Sequence, residues 1–330
     1  MMCSDKFSAF LGLRNDLRWA EEVTCRALQN CEPFSKMAAY WRLVIRTRTI
    51  RWIQFTLLAC LLGAPGFAAA AELKPEAAAG FDRYVRLTEK RMRADLQPGG
   101  AFLWADGLPE ARRGSVQLQL QRGEVVSARL KTTDPTGEIR TPGALIHHWI
   151  GTVFIPGASL RQTLATVEDY DHHSRYFSPE VVKSKTLEHT GEDYKVYLRL
   201  ARKKIVTVVY DTEYEVHYEL LTNARAQSQS YSTRIAEIAH PGEPDERQLP
   251  PGKDSGYLWR LNSYWRFYET GRGVYVQCEA ISLSRDIPAG LGWLIAPFIE
   301  SIPRESLEFT LRSTRAAVLS GISRASSVVQ

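Results

Sequence analysis

An α+β fold, in which a curved antiparallel sheet wraps around a long C-terminal helix, follows from three features of this 330-residue chain. Six extended segments follow one another from Val181 to Arg285, and several alternate apolar with polar residues as half-buried strands do. The alternation favours an antiparallel meander, because parallel strands buried on both faces read as continuous apolar runs. A helical pattern then starts at Pro303, with Leu307, Leu311 and Val318 on one stripe and Arg304, Glu308, Arg312 and Arg315 off it. That stripe needs a sheet to cover it, and with 44% apolar residues the chain can build a core of that size.

Charge is spread unevenly. Residues 1–71 carry nine Lys and Arg against five acids, and the rest of the chain 33 against 32. The formal charge of +5 therefore belongs mostly to the leader, and nucleic acid is not an expected partner. Arg42, Arg46, Arg48 and Arg51 precede an apolar run from Trp52 to Phe67 and the small residues Ala68 to Ala71, the three-part form of a secretory signal. Residues 37–71 are thus expected to be a signal peptide cleaved before Glu72, which would place the mature chain in the periplasm or cell envelope. Met37 stands where such a signal begins, so residues 1–36 are expected to be a spurious extension. Two alternatives are an uncleaved anchor and a lipid on Cys60, in Leu57-Leu58-Ala59-Cys60. After the leader only Cys278 remains, which excludes an internal disulfide and a thiolate metal site there.

The elements are expected in the following order. Pro75 to Asp95 is rich in helix formers, and Phe81, Tyr84, Val85, Leu87 and Met92 form its apolar stripe. Val116, Leu118 and Leu120 alternate with glutamines, Arg122-Gly123 turns the chain, and Val125 to Leu130 returns, which predicts a hairpin. Residues 72–140 thus form a helix-plus-hairpin extension, and 141–330 the main domain. The domain opens on a strand, Leu145 to Ile155, and a short helix within Ser159 to Asp169. The six segments are Val181 to His189, Tyr194 to Ala201, Ile205 to Leu220, Ser228 to His240, Tyr257 to Glu269 and Val274 to Arg285. On the third, Val206, Val208, Tyr210, Tyr214, Val216 and Tyr218 face the core, and Asp211, Glu213, Glu215 and His217 face solvent. Pro241 to Asp254 is an exposed loop, and Pro288 to Ile299 an apolar connection containing Leu291, Trp293, Leu294, Ile295 and Phe298.

With this order, residues 145–320 resemble the START-like or SRPBCC superfamily. Trp149-Ile150-Gly151-Thr152-Val153-Phe154-Ile155-Pro156-Gly157, then Val167 to Tyr170 and Tyr176 to Pro179, look like its opening strand and first helices. Tyr264-Trp265-Arg266-Phe267 and Ile302-Pro303-Arg304-Glu305-Ser306-Leu307 occupy its penultimate strand and last helix. The resemblance implies a helix-grip fold with a cavity between sheet and last helix. The implied occupant is an apolar or amphipathic small molecule that is lipid-like, polyketide-like or quinone-like. It implies a container and not a reaction.

Strand parity nominates Trp149, Tyr210, Tyr214, Trp259, Trp265, Phe267, Trp293 and Phe298 as the wall of that cavity, and each is equally suited to plain core packing. Arg234 shares parity with Ser230, Ser232, Ala236 and Ile238, and on one of two readings it points inward as a ligand-binding residue, with Glu237 or Glu279 as its partner. The competing reading leaves Arg234 and Arg266 on the solvent face. An enzymatic alternative, by resemblance to polyketide cyclases, uses Tyr264, Glu279 or His173 as acid and base. Glu168 to His173 gathers acids and histidines near the expected mouth, but without His-x-x-x-His or His-x-Glu spacing, and no metal is expected. No Gly-x-Ser-x-Gly elbow, Walker loop or Gly-x-Gly-x-x-Gly turn occurs, so no cofactor is expected either. A third alternative makes residues 72–140 a plug or interface. A fourth places Trp293, Leu294 and Phe298 against a membrane surface.

Overall fold

A computed structural model describes residues 71–203, 207–287 and 292–328, with side chains described as far as residue 287 and again over 301–322. The expected extension and signal peptide, apart from Ala71, lie outside the described residues.

Helix α1 (Pro75–Asp95) forms where the sequence places it, with proline at its first position and Phe81, Tyr84, Val85 and Met92 buried. The chain then makes a 3-10 turn at Trp104–Gly107 and a second helix, α2 (Glu110–Gln121). This corrects the expected hairpin. Val116 and Leu120 are buried four residues apart, as helical neighbours are, while Leu118 is 59% exposed. Alternation with glutamine is ambiguous because leucine and glutamine both favour helix, and Gly123 at φ 79° stops it from just beyond the last turn. The returning segment is a strand, β1 (Val126–Arg129), but its partner is β2 (Ala144–Pro156).

Next come α3 (Leu160–Val167) and the single turn α4 (His173–Tyr176). A capping box starts α3: Ser159 Oγ accepts from the Gln162 amide at 3.2 Å and Gln162 Oε1 from the Ser159 amide at 3.0 Å. The six expected segments are β3 (Val181–Thr190), β4 (Asp193–Lys203), β5 (Thr207–Thr222), β6 (Arg225–Ala239), β7 (Arg260–Thr270) and β8 (Gly273–Arg285). Helix α5 (Gly292–Val328) closes the chain. It starts earlier than Pro303, so the expected apolar connection is largely its first turns. A proline inside a helix removes one amide donor without ending the helix outright.

All pairings are antiparallel, in the order β1-β2-β8-β7-β6-β5-β4-β3, and the two-residue strand Arg247–Gln248 beside β6 makes nine strands. Short connections join the consecutive strands from β3 to β6 and β7 to β8, a long loop containing Arg247–Gln248 joins β6 to β7, and β8 pairs with β2. At the β7–β8 turn Gly273 has φ 143°, and a Cβ there would meet Ile155 O at 2.2 Å, so only glycine fits.

Helix α5 lies on one face of this sheet. Leu307, Leu311 and Val318 join Val153, Ile155, Val196, Tyr214, Val216, Tyr218, Phe267, Val276 and Cys278 in one core cluster with α3. Helix and strand approach so closely at Gly151 that a Cβ would stand 2.7 Å from Leu311 Cδ1. The helix-grip architecture is thus present. Its opposite, outer face is also covered, by residues 71–140. Phe81, Tyr84 and Met92 of α1 pack with Trp259, Tyr264, Ile281 and Leu283, while Val116 and Leu120 of α2 pack with Phe154 and Tyr275. Nearly every residue of β8 is buried. The expected division between a core face and a wet face holds for Tyr214 to Glu219 on β5 and fails on β2, β7 and β8. Residues 71–140 share the sheet and its clusters with the residues after 141.

Leu311 is fully buried at the closest point of helix and sheet. Leu311→Ala is expected to destabilise the protein by about 2–5 kcal/mol, read as the loss in a urea unfolding titration.

Candidate functional site

The sheet presents two candidate surfaces. On the grip face, adjacent strands bring together Trp149 and Gly151 of β2, Cys278 and Ala280 of β8, Trp265 and Phe267 of β7, and Tyr214 of β5. Trp265 and Phe267 are stacked, with ring planes 6° apart and centroids 6.1 Å apart. Trp149 lies half-buried, with the Arg304 guanidinium of α5 5.9 Å from its ring centroid. Strand β6 lines the same face with the small residues Ala226, Ser228, Ser230 and Ser232. Tyr210 shares the parity of Tyr214. The hydroxyls of both are buried with no hydrogen-bond partner among the described residues. Burial pushes the Tyr214 hydroxyl up to about 12. The side chains of Trp293 and Phe298 lie outside the described residues.

Arg234 is not on this face. Pairing passes from Glu213↔Arg234 to Tyr214↔Ser232, so Thr233 is an extra residue in β6. A one-residue slip flips every side chain beyond it. Arg234 therefore points outward, 49% exposed, with Arg234 Nη1 3.2 Å from Glu213 Oε1 and a short contact to Gln248. Asp211, expected on the wet face, is buried and accepts from Arg199 Nε at 2.7 Å and the Tyr197 hydroxyl at 2.5 Å. Burial raises its pKa, but Arg199, Tyr197 and Gln248 together hold it down at about 2.

The outer face carries the other surface, and Glu279, Trp259, Tyr264 and Arg266 are all there instead of in the grip. Cross-strand rows order it: Thr152, Gln277 and Arg266 lie side by side, and Ile150, Glu279 and Tyr264 form the next row. Glu279, 3% exposed, pairs with Arg91 of α1 and lies 2.6 Å from His148 Nε2. A carboxylate only accepts, so Nε2 donates and Nδ1 is left to face the Tyr84 hydroxyl, 2.9 Å away. Glu89 of α1 accepts from the hydroxyls of Tyr231 (2.8 Å) and Tyr264 (2.9 Å), and both phenols are raised by burial and by that carboxylate. Arg266 donates to Met92 O and Phe102 O, each at 2.8 Å. Met92 O belongs to the last turn of α1, where carbonyls lack helical partners, so the sheet caps the helix with a guanidinium. Burial lowers the Arg266 pKa, and Asp95 and Glu279 oppose that.

Between this row and the 3-10 turn is a half-open crevice of about 140 Å³, lined by Arg91, Asp95, Trp104, Ile150, Arg266 and Gln277 among others. Sequence parity could not find it, because the cover of the outer face comes from an extension whose docking site no local pattern records. The available signal was the run of apolar residues on both faces of β8.

The structure brings Tyr264 and Glu279 together as a cross-strand pair, and places His173 elsewhere. His173 packs against Tyr170 and Phe177, with Nε2 donating to Val167 O at 3.0 Å. Tyr170 in turn meets Tyr218 of the grip cluster, hydroxyl to hydroxyl at 2.8 Å. Asp169 accepts from Tyr176 and lies 2.7 Å from His172, so the acid and histidine segment ties its own loop together. Among the described residues, the side chains that gather in metal-ligand geometry are the exposed His240, Glu243 and Asp245. Among the described residues no helix is long and apolar enough to cross a membrane.

No family model matches the chain, and no curated protein is significantly similar to it. Solved structures with a similar arrangement include three with low sequence identity. The Zhui aromatase/cyclase from Streptomyces sp. R1128 is 12% identical, with 53% of this chain and 94% of that one covered and a TM-score of 0.36. A STAR-related lipid transfer protein from Xanthomonas axonopodis is 18% identical, covering 56% of this chain and 98% of that one, with a TM-score of 0.35. Human STARD10 is 10% identical, covering 64% and 80%, with a TM-score of 0.37. Ligand and chemistry rest on this chain's own residues.

Arg266→Met is expected to uncap α1 and leave Glu279 and Asp95 with less positive charge nearby, at a cost of about 3 kcal/mol or more. Limited proteolysis should then cut within residues 75–100 before the sheet unfolds. His173 gives a pH dependence, because burial drives its pKa down to about 4 from the ordinary 6.5. The unfolded chain takes up a proton below pH 6.5 that the native imidazole refuses until about pH 4, so stability is lost as pH falls through that window. Unfolding titrations at pH 7 and 4.5 should differ by roughly 1–3 kcal/mol more for the native protein than for His173→Gln.

Proposed function

We propose that the chain is an exported binding or carrier protein for an apolar or amphipathic small molecule, held between the grip face and α5. The buried hydroxyls of Tyr210 and Tyr214, without partners among the described residues, carry this reading. A buried hydroxyl with no partner costs about 1–3 kcal/mol, so its persistence on one face favours a polar group brought in from outside the chain. Around Tyr214 the face is apolar and aromatic, with Trp149, Trp265 and Phe267 in the same cluster and the small residues of β6 beside them. Export rests on the leader sequence, in which basic, apolar and small-residue segments follow in order.

Among the described residues, the Tyr264 and Glu279 of a cyclase-like reading lie on the other side of the sheet from this face, and His173 lies apart from both. Binding is therefore favoured over catalysis.

Protein isolated from its native envelope is expected to release a molecule of lipid-like or aromatic character into organic solvent, near one per chain by mass spectrometry. Trp265→Arg, placing a charge on the grip face, is expected to cut that yield at least fivefold while far-ultraviolet circular dichroism stays unchanged. A native protein that releases nothing and fails to take up a fluorescent fatty acid or sterol would remove the proposal.

A further inference from the structure

We infer that the outer-face crevice beneath residues 71–140 is a second binding site, for a small monocarboxylate. It does not depend on the grip-face reading, because the sheet separates the two surfaces. The crevice holds about 140 Å³. That matches the cavity of about 150 Å³ that accommodates benzene in another protein. Its floor is built from polar groups that the fold has buried: Gln277 is 2% exposed and Arg266 7% exposed.

The hydrogen-bond balance of these groups sets the ligand's chemistry. Gln277 Oε1 accepts from the Trp104 amide at 2.6 Å, while its Nε2 amide has no partner among the described residues. Arg266 uses Nη1 and Nη2 on Phe102 O and Met92 O, and its Nε–H has no partner among the described residues. Asp95 Oδ2 stands 3.5 Å from Nη1 of both Arg91 and Arg266, at the far limit of a hydrogen bond. Thr152 Oγ, beside Gln277 in the same row, is buried without a partner among the described residues. The spare capacity at the floor is thus mainly donor capacity, next to two guanidiniums: Arg91, which also pairs with Glu279, and Arg266, which is anchored on two backbone carbonyls, with Asp95 at the far limit of a hydrogen bond from both. An acceptor with two oxygens in one plane, a carboxylate, fits between them. The remaining wall, with Trp104, Leu108 and Ile150, is apolar and suits a short hydrocarbon or single ring attached to that carboxylate.

Benzoate is the probe. Titrated into the full chain by calorimetry, with 4-fluorobenzoate followed by fluorine NMR, it is expected to bind saturably, and benzamide at least tenfold more weakly. Arg91→Met and Gln277→Leu are each expected to weaken benzoate at least tenfold. Ala101→Phe, which fills the crevice from its rim, is expected to do the same without removing a charge. Trp265→Leu, on the grip face, is expected to leave benzoate binding within twofold. Thermal unfolding midpoints check that each variant is folded, and Ala101→Phe decides the matter if the polar variants are not. Absence of saturable binding overturns the inference, as does equal affinity for benzamide, or loss of binding in Trp265→Leu with retention in Ala101→Phe.

Discussion

At β2, β7 and β8 the sheet is covered on both faces and has no wet side on which to leave a charge, and that constraint governs the rest of this molecule. Helix α5 covers one face and residues 71–140 the other, so Arg266, Glu279 and His148 are buried simply by their place on β7, β8 and β2. A buried charge is tolerable when it is paired and hydrogen-bonded. Each of the three accordingly reaches α1 or the segment after it: Glu279 to Arg91, His148 to Tyr84, and Arg266 to Met92 and Phe102. The extension is thereby fixed in register as well as held by apolar area. Its ionic contacts specify where α1 must sit, which hydrophobic packing alone does less sharply.

The two faces divide their chemistry accordingly. On the grip side, hydroxyls are the polar groups and the surroundings are aromatic, a setting for a largely apolar guest with a hydrogen-bonding group. On the outer side, ion pairs and a primary amide border a small crevice. Cys278 and Glu279 show how little sequence separates these environments, because neighbouring strand residues point to opposite faces. Burial raises the Cys278 thiol well above its ordinary pKa, which makes it inert core, whereas the next residue binds two cationic or polar partners.

Much of the fold was legible because period and punctuation are local. Helix α1 and the six strands from Val181 to Arg285 appear within a few residues of their expected limits, bounded by turn residues such as Gly191 and Gly273. Three features were not legible, for distinct reasons. The Val116 to Leu120 segment fits both periods, and tertiary packing of Val116 and Leu120 decided for helix. Arg234 was placed by counting alternate residues, and the extra residue Thr233 breaks that count without any mark in composition. Glu279 was expected in the grip and lies on the outer face, and the solvent-face reading of Arg266 gives way to burial, because whether a side is wet depends on an element about 170 to 190 residues away in sequence.

That last separation bears on how the chain assembles. Helix α1 is synthesised long before β7 and β8, which form its docking surface, and β2 likewise precedes its partner β8 by more than 100 residues. Until those strands arrive, the apolar stripe of α1 and the open edge of β2 have no permanent partner. Pairing of β8 with both β7 and β2 is thus the long-range contact that joins the meander to the opening strand, and such contacts cost loop-closure entropy before they are rewarded. The early segments therefore call for protection in the interval.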